Sequence, residues 1–201
     1  MMFHRGGAGL PPAGPGFSED PFMSEPLPSR HQYIRLSGMP RERGLAYGRA
    51  ARERIHRVAA EYRVLFDKEA HMSWDEAYRR ARVYADPIRA YRPDLIEEME
   101  GIAEGAGLDF GTILLMNART EVMFAQVEED ACSVIGVPPE VSIDGRTYLA
   151  QTWDWWSIGA DTTVILEIDQ PPYEKALIIT EAGLVGGKGL NEESIIDWTA
   201  A

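Results

Sequence analysis

The chain has 201 residues, 45% of them hydrophobic, which is enough for one domain with a sizeable core. Its formal net charge of −12 and pI near 4.8 repel a phosphate backbone, so nucleic acid is excluded as the default partner. No apolar run approaches the ~20 residues of a membrane span, and a single cysteine rules out a disulfide framework and fits a reducing, cytoplasmic setting.

Residues 1–29 differ from all that follows. Arg5 to Phe17 is rich in Gly and Pro with little to bury, which predicts a disordered tail. The continuous apolar segment of a signal peptide is missing there. From Arg41 to Phe66, apolar residues recur at helical spacing (Ala51, Ile55, Val58, Ala59, Tyr62, Leu65, Phe66), predicting one amphipathic helix. Ser73 and Glu76 have capping-box spacing, and Trp74, Ala77, Tyr78, Ala81 and Tyr84 give the next helix an apolar side. Pro93 suits a first helical position, and Gly105 and Gly107 are expected to stop that helix. Asp109 reads as an N-cap for a helix carrying Ile113, Leu114 and the stretch Asn117 to Phe124.

After residue 131 the pattern turns to strands. Cys132 to Val137 is a short apolar run ended by Pro138 and Pro139. Asp144-Gly145 predicts a hairpin turn between Val141-Ser142-Ile143 and Thr147 to Trp153. Two further β-rich runs, Thr162 to Ile168 and Lys175 to Thr180, flank Pro171-Pro172. The expected fold is α+β with an antiparallel sheet. Its divisions are a tail over 1–29, a helical segment over 30–131 and a β-rich segment over 132–201.

Gly186-Gly187-Lys188-Gly189 lacks both defining features of a phosphate loop and reads as a tight turn. His4, His31, His56 and His71 have no ligand spacing, so neither a metal nor a cofactor is expected. Cys132 has two readings. A lone cysteine is commonly a buried small hydrophobe. This one starts a strand directly after the acidic run Glu128-Glu129-Asp130, a position suited to release as a new chain terminus. A thiol with a pKa of ~8.5 needs a base, and a free α-amino group titrating near ~7.7–8 on the same residue supplies one. Gln151 to Trp156 holds Asp154 among three tryptophans, either as a capped turn or as a carboxylate in a partly apolar site. Arg119-Thr120-Glu121 reads on periodicity alone as a solvent-facing helical trio.

Five pieces occur in order over residues 117–191. They are Asn117-x-Arg119-Thr120-Glu121, Cys132-Ser133, Gln151-Thr152-Trp153-Asp154-Trp155, Thr180 to Gly183, and Gly189-Leu190-Asn191. Together they resemble the penicillin acyltransferase-like family, the cysteine branch of the N-terminal-nucleophile hydrolases. With the helical region around Gly44 and Gly48, the likeness spans roughly residues 35–191.

The resemblance implies an αββα sandwich and a proenzyme that cuts itself between Ala131 and Cys132, the two fragments staying associated. It implies a Cys132 thioester with acyl transfer to water or an amine, on a small N-acyl amide or acyl-thioester substrate, acyl-coenzyme A among them. Asp154 would polarise the new α-amino group, and Ser133, Arg119, Glu121, Trp153 and Trp155 would bind substrate or support the site. The alternative is an inactive remnant or interaction domain of the same fold. Three departures stand out: Ala131 where the family has glycine, Thr152 where it has asparagine, and a chain that stops at Ala201 where the family continues. The last is expected to be a C-terminal truncation.

Overall fold

A computed structural model describes residues 31–123, 132–157 and 159–191. The expected tail at 1–29, the acidic run at 128–130, Ala131 on the cleavage site and the segment 192–201 lie outside them.

The described chain begins with a strand that the sequence reading did not foresee. In β1 (Gln32–Leu36), Ile34 and Leu36 are buried while Tyr33 and Arg35 are exposed, the alternation of a strand with one covered face. The predicted helix over 41–66 is two helices, α1 (Pro40–Ala50) and α2 (Arg52–Lys68), parted at Ala51 (φ −105°, ψ 14°). No Gly or Pro marks that break. Its reason is tertiary, because α1 must lie flat on α5 (Pro93–Ala106).

That contact runs through glycine. A Cβ on Gly48 would stand 2.4 Å from Ile102 O, and one on Gly101 would stand 2.2 Å from Arg41 O. Gly105 therefore sits inside α5, pressed on α1, rather than ending it; Gly107 (φ 72°) is the cap. The buried pair of Arg43 and Glu98, 2.6 Å apart, closes the same interface.

Between these helices lie α3 (Trp74–Ala81), a 3₁₀ turn (Arg82–Tyr84) and α4 (Ala85–Tyr91). Ser73 caps α3 as expected, its hydroxyl accepting from Glu76 N–H. Asp109 caps α6 (Phe110–Asn117), accepting from Thr112 N–H at 3.0 Å, and the helix breaks at Ala118 before α7 (Arg119–Met123).

The strands form two sheets. β2 (Val134–Val137) and β3 (Tyr148–Gln151) are an antiparallel pair. The other sheet has the order β1-β4-β5-β6, with a short α8 (Gly159–Thr162) leading into β4 (Thr163–Ile168), then β5 (Ala176–Glu181) and β6 (Lys188–Asn191). The architecture is mixed α and β, as expected, but the sheet is not wholly antiparallel: β1 runs parallel to β4.

Two local expectations change. Val141-Ser142-Ile143 is not a strand. Pro138 has no N–H to continue the ladder, and its carbonyl instead accepts from Val141 and Ser142 N–H, so 138–147 is one connection and Asp144-Gly145 turns at its far end. Lys188 and Gly189 lie in β6 rather than in a turn.

Register separates the faces of the larger sheet. Ile34, Leu166 and Ile178 align on the face covered by the helices, where Tyr47, Ile55, Tyr62, Ile102 and Met116 fill the core. Tyr33, Ile165, Ile179 and Lys188 align on the opposite face. No described helix is long and apolar enough to cross a membrane.

Candidate active site

Arg119 is not a solvent-facing residue. It lies at the start of α7, and its Nη2 pairs at 3.1 Å with Oε2 of Glu181, a carboxylate at 0% exposure on the last residue of β5. Tyr62 from α2 completes the cluster. Its hydroxyl donates to Glu181 Oε2 (2.7 Å) and accepts from Arg119 Nε (2.6 Å) and from Trp155 Nε1 (3.0 Å). That uses the one proton and both lone pairs of a phenol. Burial pushes the Tyr62 phenol well above its ordinary pKa, and the Arg119 charge works against that rise. The Arg119 guanidinium also stands over the Tyr62 and Trp155 rings. Glu181 Oε1 is buried with no hydrogen-bond partner among the described residues.

Asn117 explains why the first and fourth sequence pieces travel together. Its Nδ2 donates to Ile113 O and Gly183 O, and its Oδ1 accepts from Val185 N–H at 2.9 Å. Gly183 (φ 97°) makes the turn after β5, and its N–H donates to Tyr47 Oη at 2.8 Å. One helix end thus fixes the end of β5 through both Asn117 and Arg119. Glu121 is exposed on α7 and takes no part in these bonds.

The second and third pieces also meet. Ser133 N–H donates to Thr152 Oγ1, and Thr152 N–H donates to Ser133 O, both at 2.9 Å. Thr152, the residue that departs from the family pattern, thereby supplies the acceptor that holds the residue after Cys132. Cys132 is exposed, which removes the reading of a buried small hydrophobe. Asp154 is exposed between Trp153 and Trp155. Trp155 packs edge-on against Trp156 at 4.7 Å.

Lys188, Tyr62 and Glu181 were missed as site residues. Lys188 Nζ stands 4.0 Å from the centroid of the Trp153 ring. Burial lowers the Lys188 pKa; the Cys132 charge counters that, Arg119 adds to it, and Glu181 counters it again. Lys188 therefore shares one electrostatic neighbourhood with the cysteine and with the Arg119–Glu181 pair. The register of β6 opposite β5 puts it there, and nothing local in the sequence signals it. Among the described residues, no group of three or more His, Cys, Asp or Glu stands close enough to hold a metal ion.

No protein-family model matches the chain. Over 165 residues it is 27% identical to the acyl-coenzyme A:6-aminopenicillanic-acid-acyltransferase 40 kDa form of Emericella nidulans. The likeness is distant and partial. It takes in 81% of this chain and 45% of that protein, so the chain spans less than half the length of the acyltransferase it matches. The match supports a related family and makes an acyl-transfer or hydrolase-like activity plausible.

Proposed function

We propose that the chain is a self-processing cysteine amide hydrolase or acyltransferase in which Cys132 is nucleophile and, once freed, its own base. The observation that carries the reading is the double hydrogen bond between Ser133 and Thr152, which brings Cys132 to the start of the Trp153-Asp154-Trp155 segment. In this reading the Ala131–Cys132 bond is cut, separating residues 30–131 from the β-rich segment 132–201. The freed α-amino group, titrating near ~7.7–8, takes the proton of its own thiol. The thiolate adds to the acyl carbonyl of a small N-acyl amide or an acyl thioester such as acyl-coenzyme A. Collapse expels the amine or thiol with the proton returned from the ammonium, and water or an amine then takes the acyl group from sulfur.

Asp154 orients the α-ammonium in this scheme, and Ser133 lines the site. Arg119, Tyr62, Glu181 and Trp155 form the wall behind it. The two sheets, with helices on one face of the larger, are compatible with half of an αββα sandwich. The acyl-coenzyme A named for the acyltransferase of Emericella nidulans is the first substrate to try.

Intact-mass measurement of the purified chain tests the proposal. The expected result is two fragments meeting at Ala131/Cys132 and an acyl adduct on Cys132 after incubation with an acyl thioester. A single uncut chain that gains no acyl adduct on incubation with an acyl thioester would overturn it in favour of an inactive relative.

A further inference from the structure

Self-cleavage raises a chemical difficulty. Before the cut, the Cys132 nitrogen is an amide whose lone pair is delocalised, so it cannot serve as the base that it later becomes. Another group has to take the first proton.

We propose that Lys188 is that group, its amine accepting the Cys132 thiol proton while the residue's own nitrogen is still in a peptide bond. The inference rests on the Cys132 nucleophile reading and adds the base for its first step. Lys188 extends from β6 over Trp153, its Nζ 4.0 Å from the ring centroid. Trp153 directly follows Thr152, which grips the residue after Cys132 by two hydrogen bonds. The amine and the thiol thus flank the same short stretch of backbone. A second observation points the same way. Glu181 Oε1 is buried without a donor among the described residues, and its carboxylate acts on Lys188.

The balance of forces suits a base. Burial and the Arg119 charge favour the neutral amine, which can accept a proton. The Cys132 thiolate, Glu181 and the Trp153 face favour the ammonium once the proton has arrived. In the step itself, the S–H bond breaks and an N–H bond forms on Nζ. The thiolate adds to the carbonyl carbon that precedes Cys132. The C–N bond breaks as the ammonium returns its proton to the departing nitrogen, leaving a thioester and a free α-amine. Water then cleaves the thioester, giving a carboxylate and regenerating the thiol.

The test uses the full chain as wild type, Lys188→Met, Lys188→Arg and Cys132→Ala. Two readouts are followed by intact mass: the pH profile of Cys132 alkylation by iodoacetamide on uncut chain, and the yield of chain beginning at Cys132. In Lys188→Met the profile is expected to move up by about one pH unit, a ~10-fold slower alkylation at neutral pH, and cleavage to slow on the order of 10²-fold. Lys188→Arg keeps the charge but cannot give up its own proton to become a base, so alkylation stays near wild type while cleavage still fails. Where wild type is already fully cut, the cleavage yields of the variants decide. Wild-type profile and cleavage in Lys188→Met overturn the proposal. Should Lys188→Met fail to fold, wild-type cleavage by Lys188→Arg overturns it. Cys132→Ala separates the two ideas. If it is inert while Lys188→Met behaves as wild type, only the lysine role falls; if it still cuts or turns over, the nucleophile reading falls.

Discussion

Removing Arg119 isolates the contribution of the buried cluster. In Arg119→Met, Glu181 keeps the Tyr62 hydroxyl but loses its only ion-pair partner among the described residues, at 0% exposure. Deleting one member of a buried pair typically costs ~3–5 kcal/mol. Arg119 keeps a partly exposed side chain, and its apolar stem is replaced by methionine, so the lower end, about 3 kcal/mol, is expected. For a chain of this size each kcal/mol moves Tm by roughly 2–4 °C, giving a fall of about 6–12 °C. Adding Glu181→Gln removes the stranded charge, and the double variant should regain at least ~1 kcal/mol of that loss. Thermal and urea melts followed by circular dichroism at pH 7 measure both. A single variant within about 1 kcal/mol of wild type, or a double variant whose loss is the plain sum of the two singles, would refute the account of Glu181 as a carboxylate held by Arg119.

Three further outcomes are expected. Gly101→Ala puts a Cβ 2.2 Å from Arg41 O and should cost about 3 kcal/mol in a urea melt, whereas Gly186→Ala, with nothing within 4 Å, should cost under about 1 kcal/mol. Asp109→Ala loses the cap of α6 and should cost ~1–2 kcal/mol at pH 7. Partial burial raises the Asp109 carboxyl, but hydrogen bonds from Thr112 and Tyr78 outweigh it and hold the pKa below the ordinary value. Its contribution is therefore complete above the unfolded value of ~3.9 and lost as pH falls through the lower folded value, so wild type and Asp109→Ala should converge in acid melts. Thr152→Val deletes the acceptor of Ser133 N–H and should slow acyl-enzyme formation, measured as mass gained on Cys132, while costing stability only ~1 kcal/mol.

The features legible in the sequence are those with local causes. Ser73, Pro93, Gly107 and Asp109 each act within one turn of the chain, and each stands where its chemistry places it. The break at Ala51 and the helical Gly105 were not legible, because α1 lying on α5 decides both. In β1 the period-2 alternation of Tyr33, Ile34, Arg35 and Leu36 was available but short, and its partner β4 lies far along the chain. The site divides in the same way. The resemblance joined Asn117, Arg119 and the Thr180–Gly183 stretch, and the structure supplies the physical reason through Gly183, Val185 and Glu181. Tyr62 and Lys188 carry no local signal at all. Each enters the cluster only through the packing of α2 or the register of β6.

The parallel pairing of β1 with β4 has an outcome for assembly. The edge strand comes from chain that precedes Cys132 and its neighbour from chain that follows, and the Arg119–Glu181 pair straddles the same boundary. Among the described elements, every helix but the short α8 precedes Cys132 and every strand but β1 follows it, so each stretch alone leaves an apolar face uncovered. Produced as two polypeptides, they would have to meet while folding, each acting as template for the other, and purified apart they would show little cooperative melting.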